Sequence, residues 1–303
     1  MNIPDTLTTH GHEVPDGMLG ELRDSAALLA DGDALRARVA EDGYLYLKNA
    51  LDADAVRSAR EEVFSRLAAV GEIKEPPVEG LSTGTSRRGD EVDDLGAFWQ
   101  SICESPKLRA VTHYGPIVPV METLIGEPVV HFDFQWLRTM HPGRASAFHF
   151  DHVYMNRGTD HLYTVWTPLG DVALDEGPIL LLEDSHKWDD LIEEFQGFDV
   201  ETDTSRPGHV TMDAVALARE RGTRLLTAEF KTGDVLIFPM FMLHGSLDNR
   251  SPIGRVRLSS DARFQPATAP RDERWYGENP IAHGEGYASM GGAKPATSDP
   301  LFR

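Results

Sequence analysis

Three residues of this chain have the types and the spacing to hold one divalent metal ion. His149 and Asp151 stand two apart in Ala147-Phe148-His149-Phe150-Asp151-His152, so on a β-strand an imidazole and a carboxylate project from the same face and reach one ion. The third is His244, which follows the apolar run Val235-Leu236-Ile237-Phe238-Pro239-Met240-Phe241-Met242-Leu243 and precedes Gly245-Ser246. A buried strand ending in His-Gly-Ser suits a ligand delivered from elsewhere in the chain. Two imidazoles and one carboxylate on one face of an octahedral ion leave three positions open, which is what Fe(II) needs to hold a bidentate oxoacid and O2 together. A lone His-x-Asp occurs by chance in many proteins; here it gains its meaning from the downstream His244. His152 points to the opposite face of a regular strand and reads as a packing residue. The other histidines show no ligand-like pairing beyond His10-x-His12, which is expected to be disordered near the terminus.

An oxoacid on such a metal needs an anchor for its distal carboxylate, and a guanidinium fork matches a carboxylate bidentately. Residues 246 to 254, Ser-Leu-Asp-Asn-Arg-Ser-Pro-Ile-Gly, read as a turn that folds the chain back beside His244 and brings Arg255 with it. Ser246 shares the face of His244 by parity. Arg257 shares the face of Arg255, so parity leaves both arginines as anchors.

The elements that must position these groups fall into two halves. Helical spacing over residues 34 to 42 and 53 to 70 brackets a short strand at Tyr44-Leu45-Tyr46-Leu47, with Asp52 or Asp54 as an N-cap and Gly71 at a helix end. Residues 75 to 94, rich in Pro, Gly, Ser and charge, read as a mobile surface loop, and residues 107 to 125 as a further helix. From there strands are expected at 129 to 140, 146 to 155, 162 to 173, 178 to 182, 226 to 230, 234 to 243 and 255 to 264. Seven or eight short strands imply a barrel or jelly roll. Residues 186 to 225 interrupt this series with a charged, partly helical insert, long for a connection within one domain, and read either as a lid or as a surface excursion.

The bulk properties narrow the partners. The 303 residues fit one large domain over 1–303, and the formal net charge of −20, without a basic cluster, argues against nucleic acid. No run approaches the roughly 20 apolar residues of a membrane span. The N-terminus lacks the pattern of a secretory signal, so a cytoplasmic location is expected. The single cysteine, Cys103, excludes an internal disulfide framework and reads as a packing residue.

From Glu41 to Pro266 the sequence resembles the phytanoyl-CoA dioxygenase family of Fe(II)/2-oxoglutarate oxygenases. The likeness is an ordered series: Glu41-Asp42-Gly43-Tyr44-Leu45-Tyr46-Leu47-Lys48-Asn49, His149-Phe150-Asp151, Trp166, Glu176-Gly177-Pro178, Ser185-His186-Lys187, Gly233-Asp234-Val235, His244-Gly245-Ser246, Asn249, Ser251 and Arg255. The resemblance implies a mostly β double-stranded β-helix, a cupin-like jelly roll with flanking helices, its core at about 129–266. It implies that His149, Asp151 and His244 bind Fe(II), that Arg255 rather than Arg257 grips 2-oxoglutarate, and that Trp166 and Ser246 line the co-substrate pocket. Trp166 also reads as a core aromatic.

Two departures stand out. Phe150 occupies a position where the family often has Gln, and Glu183-Asp184 replaces the Pro-Gly that commonly precedes Ser-His-Lys, which implies a different local turn. Related halogenases replace the metal-binding carboxylate with a small residue, so the intact Asp151 favours hydroxylation or another C–H oxidation.

The expected reaction is oxidation of a small, natural-product-like molecule with O2 and 2-oxoglutarate, releasing succinate and CO2. Candidates for substrate choice are Arg87, Arg88, Arg138, the insert and Trp275-Tyr276. The competing readings are a cupin-type hydrolase or isomerase on the same triad, which leaves the downstream arginine unexplained, and a catalytically silent binding protein on the same fold.

Overall fold

The computed structural model describes residues 6–288. In chain order the strands are β1 (Thr8–Thr9), β2 (His12–Glu13), β3 (Leu19–Glu21), β4 (Leu45–Leu47), β5 (Val129–His131), β6 (Trp136–Met140), β7 (Tyr163–Pro168), β8 (Ile179–Leu182), β9 (Leu225–Thr227), β10 (Val235–Pro239), β11 (His244–Ser246) and β12 (Arg257–Pro266). The α-helices are α1 (Gly32–Asp42), α2 (Ala53–Ala69), α3 (Arg88–Glu91), α4 (Leu95–Cys103), α5 (Pro106–Thr112), α6 (Ile117–Ile125), α7 (Asp189–Phe195) and α8 (Ala214–Arg221). One sheet runs β4-β10-β7-β12-β5, with β6 also paired to β12; a second runs β11-β8-β9-β3. The two form the jelly roll of a double-stranded β-helix.

Period-two alternation decides which side of each strand meets what. Val235 and Ile237 of β10, Val165 of β7 and Leu258, Ala262 and Phe264 of β12 face outward into a core shared with α1, α2 and α4 to α6. Leu236, Phe238 and Trp166 face inward, with Ile179 and Leu181 of β8. Leu180 and Leu182 face the other way, into a separate core made with the insert.

That second core supports the metal-site segment from behind. Phe148 and Phe150 are fully buried in it against Phe195 of α7 and the residues of α8, and each such aromatic contributes about 1.5–3 kcal/mol by leaving water. The far end of the insert also pairs with the segment: the Phe148 amide donates to the Thr211 carbonyl at 3.1 Å and Val210 donates to Phe148 at 2.7 Å.

Several expectations are revised. Residues 146 to 155 do not form a regular strand: His149 makes one bridge, Phe150 is extended (φ −93°, ψ 137°), and Asp151 opens a 3-10 turn through Tyr154. The helix expected over 107 to 125 is two helices, because Gly115 takes a left-handed φ of 66° and Pro116 has no amide to continue the ladder. The loop at 75 to 94 is pinned through bridges from Ile73 to Ser82 and from Leu81 to Arg255, and through a buried ion pair between Arg88 and Glu72 at 2.6 Å. Asp184 sits at φ 62°, the conformation a glycine would take there, so its presence preserves that kind of turn. His10 and His12 belong to an ordered hairpin, β1–β2.

Three buried imidazoles set an acid limit on this fold. Burial holds His244 and His141 down to about 4 each, and His113 well below its ordinary 6.5. An unfolded chain takes up these protons near pH 6.5, whereas the folded metal-free chain takes them up only well below that, near 4 for His244 and His141. Their contribution is therefore complete above 6.5 and lost as pH falls through that window, with a slope approaching about 1.4 kcal/mol per pH unit for each histidine. Urea denaturation of metal-free protein should give a lower midpoint at pH 5 than at pH 7; equal midpoints would contradict this.

Candidate active site

The triad is assembled by backbone pairing between two distant segments. His149 and His244 exchange both amide hydrogen bonds, at 3.0 and 3.2 Å, across an antiparallel bridge. Gly245 permits this approach, since a Cβ there would lie 2.6 Å from the Phe148 ring and 2.7 Å from the Ser146 carbonyl. On the opposite edge β11 pairs with β8, and the Leu243 amide donates to Ser185 Oγ at 3.0 Å, which fixes the entry to His244.

The side-chain chemistry fits a cation. His149 Nδ1 lies 2.8 Å from the Ala147 carbonyl and His244 Nδ1 lies 2.9 Å from the Met242 carbonyl. A carbonyl only accepts, so each Nδ1 carries the proton and each Nε2 presents a lone pair. Those Nε2 atoms lie 3.7 and 3.9 Å from Asp151 Oδ1, and one ligand atom from each residue falls within 4.8 Å of the others. Three acceptors converging in a buried site repel one another until a metal ion lies between them. Burial, followed by the neighbouring His149, holds His244 down to about 4, so it is neutral and able to ligate at pH 7. Burial pushes the Asp151 carboxyl up, but Arg263, His244 and His149 beside it together more than offset this and hold it well below its ordinary value.

The inward face of β12 reads Arg257, Ser259, Asp261, Arg263. Arg138 Nε donates to Asp261 at 2.5 Å, Arg263 Nη2 donates to Asp151 Oδ1 at 3.1 Å, and Arg257 Nη1 donates to Ser259 Oγ at 2.7 Å. Arg257 has no carboxylate among these partners, and its buried Nε has no hydrogen-bond partner. Burial lowers it to about 10, still a full cation at neutral pH. It lines a narrow inner pocket with Trp166, His149 and His244.

Arg255 lies elsewhere. Its Nη1 donates to Glu176 at 3.0 Å and its backbone bridges Leu81. The turn ordered by Asn249, whose Nδ2 donates to the carbonyls of Met140 and Arg255, extends through 255, and regular pairing begins with Arg257 opposite Met140. The strand expected from 255 therefore starts two residues later, at Arg257. Trp166 is both core and wall: it packs edge-on to Phe230 at 4.7 Å, with the Arg257 guanidinium 5.9 Å from its ring. Ser246 stands behind the pocket, its Oγ accepting from the Ser146 amide at 2.8 Å. Phe150 faces the second core, and His152 is buried, its Nε2 accepting from Gly197 at 3.0 Å.

Beyond the triad opens a cavity of about 1320 Å³, lined in part by Trp99, Phe134, Trp136, Tyr154 and Met155, with the Tyr154 ring 5.5 Å from that of His149. Arg138 lines both spaces, and the insert contributes His209 and Met212. Of the other residues expected to select substrate, Arg87 pairs with Glu91, Arg88 with Glu72, and Trp275 is fully buried 4.8 Å behind Trp136. The β1–β2 hairpin forms the remaining wall, held by Asp248, which accepts from Thr8 Oγ1 at 2.6 Å and from the amides of His10 and Gly11. Asp261, Arg263 and Thr164, which donates to Asp151 Oδ2, were not singled out from sequence; the alternation of polar and apolar residues along 256 to 264 was the signal for the first two.

The family model described as phytanoyl-CoA dioxygenase matches residues 39–256. The chain is 30% identical over 266 residues to a 1-deoxypentalenic acid 11-beta-hydroxylase of Streptomyces exfoliatus, covering 84% of this chain and 88% of the relative. It is 29% identical over 261 residues to the protein of the same description from Streptomyces arenae, covering 82% and 86%. Among solved structures the fold matches EctD from S. alaskensis (TM-score 0.55, 18% identity, 89% and 88% covered) and the non-heme alpha ketoglutarate dependent carbocyclase SnoK from nogalamycin biosynthesis (TM-score 0.53, 19% identity, 82% and 89% covered). With its two imidazoles and one carboxylate arranged to take iron, the chain belongs to the phytanoyl-CoA dioxygenase family of Fe(II)/2-oxoglutarate-dependent oxygenases.

Proposed function

We propose that the protein hydroxylates a small, largely apolar natural product, with Arg257 as the anchor of 2-oxoglutarate and His149, Asp151 and His244 as the iron ligands. The observation that carries the anchor is the unpaired, buried Arg257 cation in the pocket next to the triad. A buried guanidinium without a counter-ion costs several kcal/mol, and the distal carboxylate of 2-oxoglutarate supplies the missing charge. Neither a hydrolase nor a silent binding protein on this fold gives that cation a partner. The relatives described as 1-deoxypentalenic acid hydroxylases and the aromatic walls of the outer cavity favour an apolar substrate.

Fe(II), when bound, supplies the redox chemistry that couples O2 and the decarboxylation of 2-oxoglutarate to C–H oxidation. The protein supplies position and dryness. Arg257 and Trp166 orient the co-substrate from the closed end of the barrel, while Trp136, Tyr154 and Met155 exclude water on the substrate side. Substrate C–H, 2-oxoglutarate and O2 give substrate C–OH, succinate and CO2.

Incubation with iron, 2-oxoglutarate, O2 and a panel of apolar metabolites should yield succinate and a product one oxygen heavier. Arg257→Ala should raise the half-saturating 2-oxoglutarate concentration about 100-fold, as expected for breaking a buried charge pair, and Arg255→Ala should change it little. The opposite ranking would return the anchor to Arg255. His244→Ala should abolish iron binding while leaving the circular dichroism spectrum unchanged; retained iron would remove His244 from the ligand set.

A further inference from the structure

We infer that Thr164 and Arg263 act together as positioning residues that hold Asp151 to metal ligation through one oxygen. The inference rests on the iron assignment above. In the β7–β12 pairing Thr164 lies directly opposite Arg263, so both side chains point inward at one level of the barrel, and both are 1% exposed. Asp151 Oδ1 is the oxygen facing the two Nε2 atoms, at 3.7 and 3.9 Å. Its other oxygen, Oδ2, accepts from the Thr164 hydroxyl, while Arg263 Nη2 lies across the carboxylate, 3.0 Å from Oδ2 and donating to Oδ1 at 3.1 Å.

Arg263 makes no other direct ion pair with a carboxylate among the described residues, although it also stabilises the charge on Asp261. Its Nε and Nη1 are buried without hydrogen-bond partners, and its guanidinium lies 4.9 Å from the Trp136 ring centre. Desolvating a guanidinium is tolerated where a carboxylate and an aromatic face both meet it. Arg263 also lies beyond residue 256, where the family match ends; this support comes from a part of the chain outside the matched segment.

The consequence concerns the number of open positions on the metal. A carboxylate that chelates through both oxygens takes four of six positions together with two imidazoles. A bidentate oxoacid then fills the remaining two and leaves none for O2. With Oδ2 held by the Thr164 hydroxyl and Arg263 lying across the carboxylate, Oδ1 stays turned toward the two Nε2 atoms, and the third open position would be preserved. Thr164 and Arg263 thus act through Asp151 without touching the substrate.

The test uses the full-length protein loaded anaerobically with Fe(II) and 2-oxoglutarate, with nitric oxide as a probe for the open position, read by electron paramagnetic resonance and normalised to iron content. Wild-type protein should take up nitric oxide in proportion to its iron. Thr164→Val, an isosteric change on a strand, should keep its iron and its circular dichroism spectrum but take up about tenfold less nitric oxide per iron, the scale of losing one hydrogen bond to a charged group. Thr164→Ser should restore the uptake. Wild-type uptake by Thr164→Val, or loss of its iron, would overturn the inference. Failure of the wild-type protein to bind iron and 2-oxoglutarate would instead count against the function proposed above.

Discussion

The site depends on a pair of backbone hydrogen bonds between His149 and His244, two residues almost a hundred positions apart. A reciprocal antiparallel bridge fixes the distance and mutual rotation of two imidazoles more tightly than side-chain packing alone. Both rings then turn Nδ1 toward a carbonyl two residues back in their own segments, Ala147 and Met242, so the same local geometry produces the same tautomer twice. Much of the surrounding structure serves this bridge: Gly245 leaves room for it, Ser246 and Ser185 tie its flanks, and the insert clamps Phe148 and Phe150 from behind.

The barrel interior carries an unusual charge balance. Arg138, Arg257 and Arg263 face Asp151 and Asp261 in a space with little solvent, leaving one cation in excess. Iron brings two positive charges and 2-oxoglutarate two negative ones, so loading the site adds no net charge, and in the arrangement proposed above it gives Arg257 a counter-ion. A low-dielectric interior makes such pairing strong and its absence costly. The polar face of β12 thus links the co-substrate end of the barrel to the iron ligand, while its other face packs the helices.

Much of this was legible in residue order. The triad, the jelly roll and the strand carrying His244 follow from apolar alternation and His-x-Asp spacing, because strand periodicity is local. The start of the strand after His244 was not, since it depends on where the turn releases the chain into regular pairing, and Asn249 sets that through bonds to Met140 and Arg255. The insert reads as a lid or a surface excursion from its charge and length; its buried face, packed on Phe148 and Phe150, becomes visible only once the sheet is closed. The hairpin carrying His10 and His12 was equally hidden, because Asp248, which orders it, lies more than 230 residues away in the chain.

The central claim is that the triad and the inner pocket together take iron and 2-oxoglutarate as one unit. Anaerobic titration of the metal-free protein with Fe(II) and then 2-oxoglutarate tests it most directly. A visible charge-transfer band that appears only when both are present, and saturates at one of each per chain, is the predicted result; iron binding without such a band at any 2-oxoglutarate concentration would contradict it.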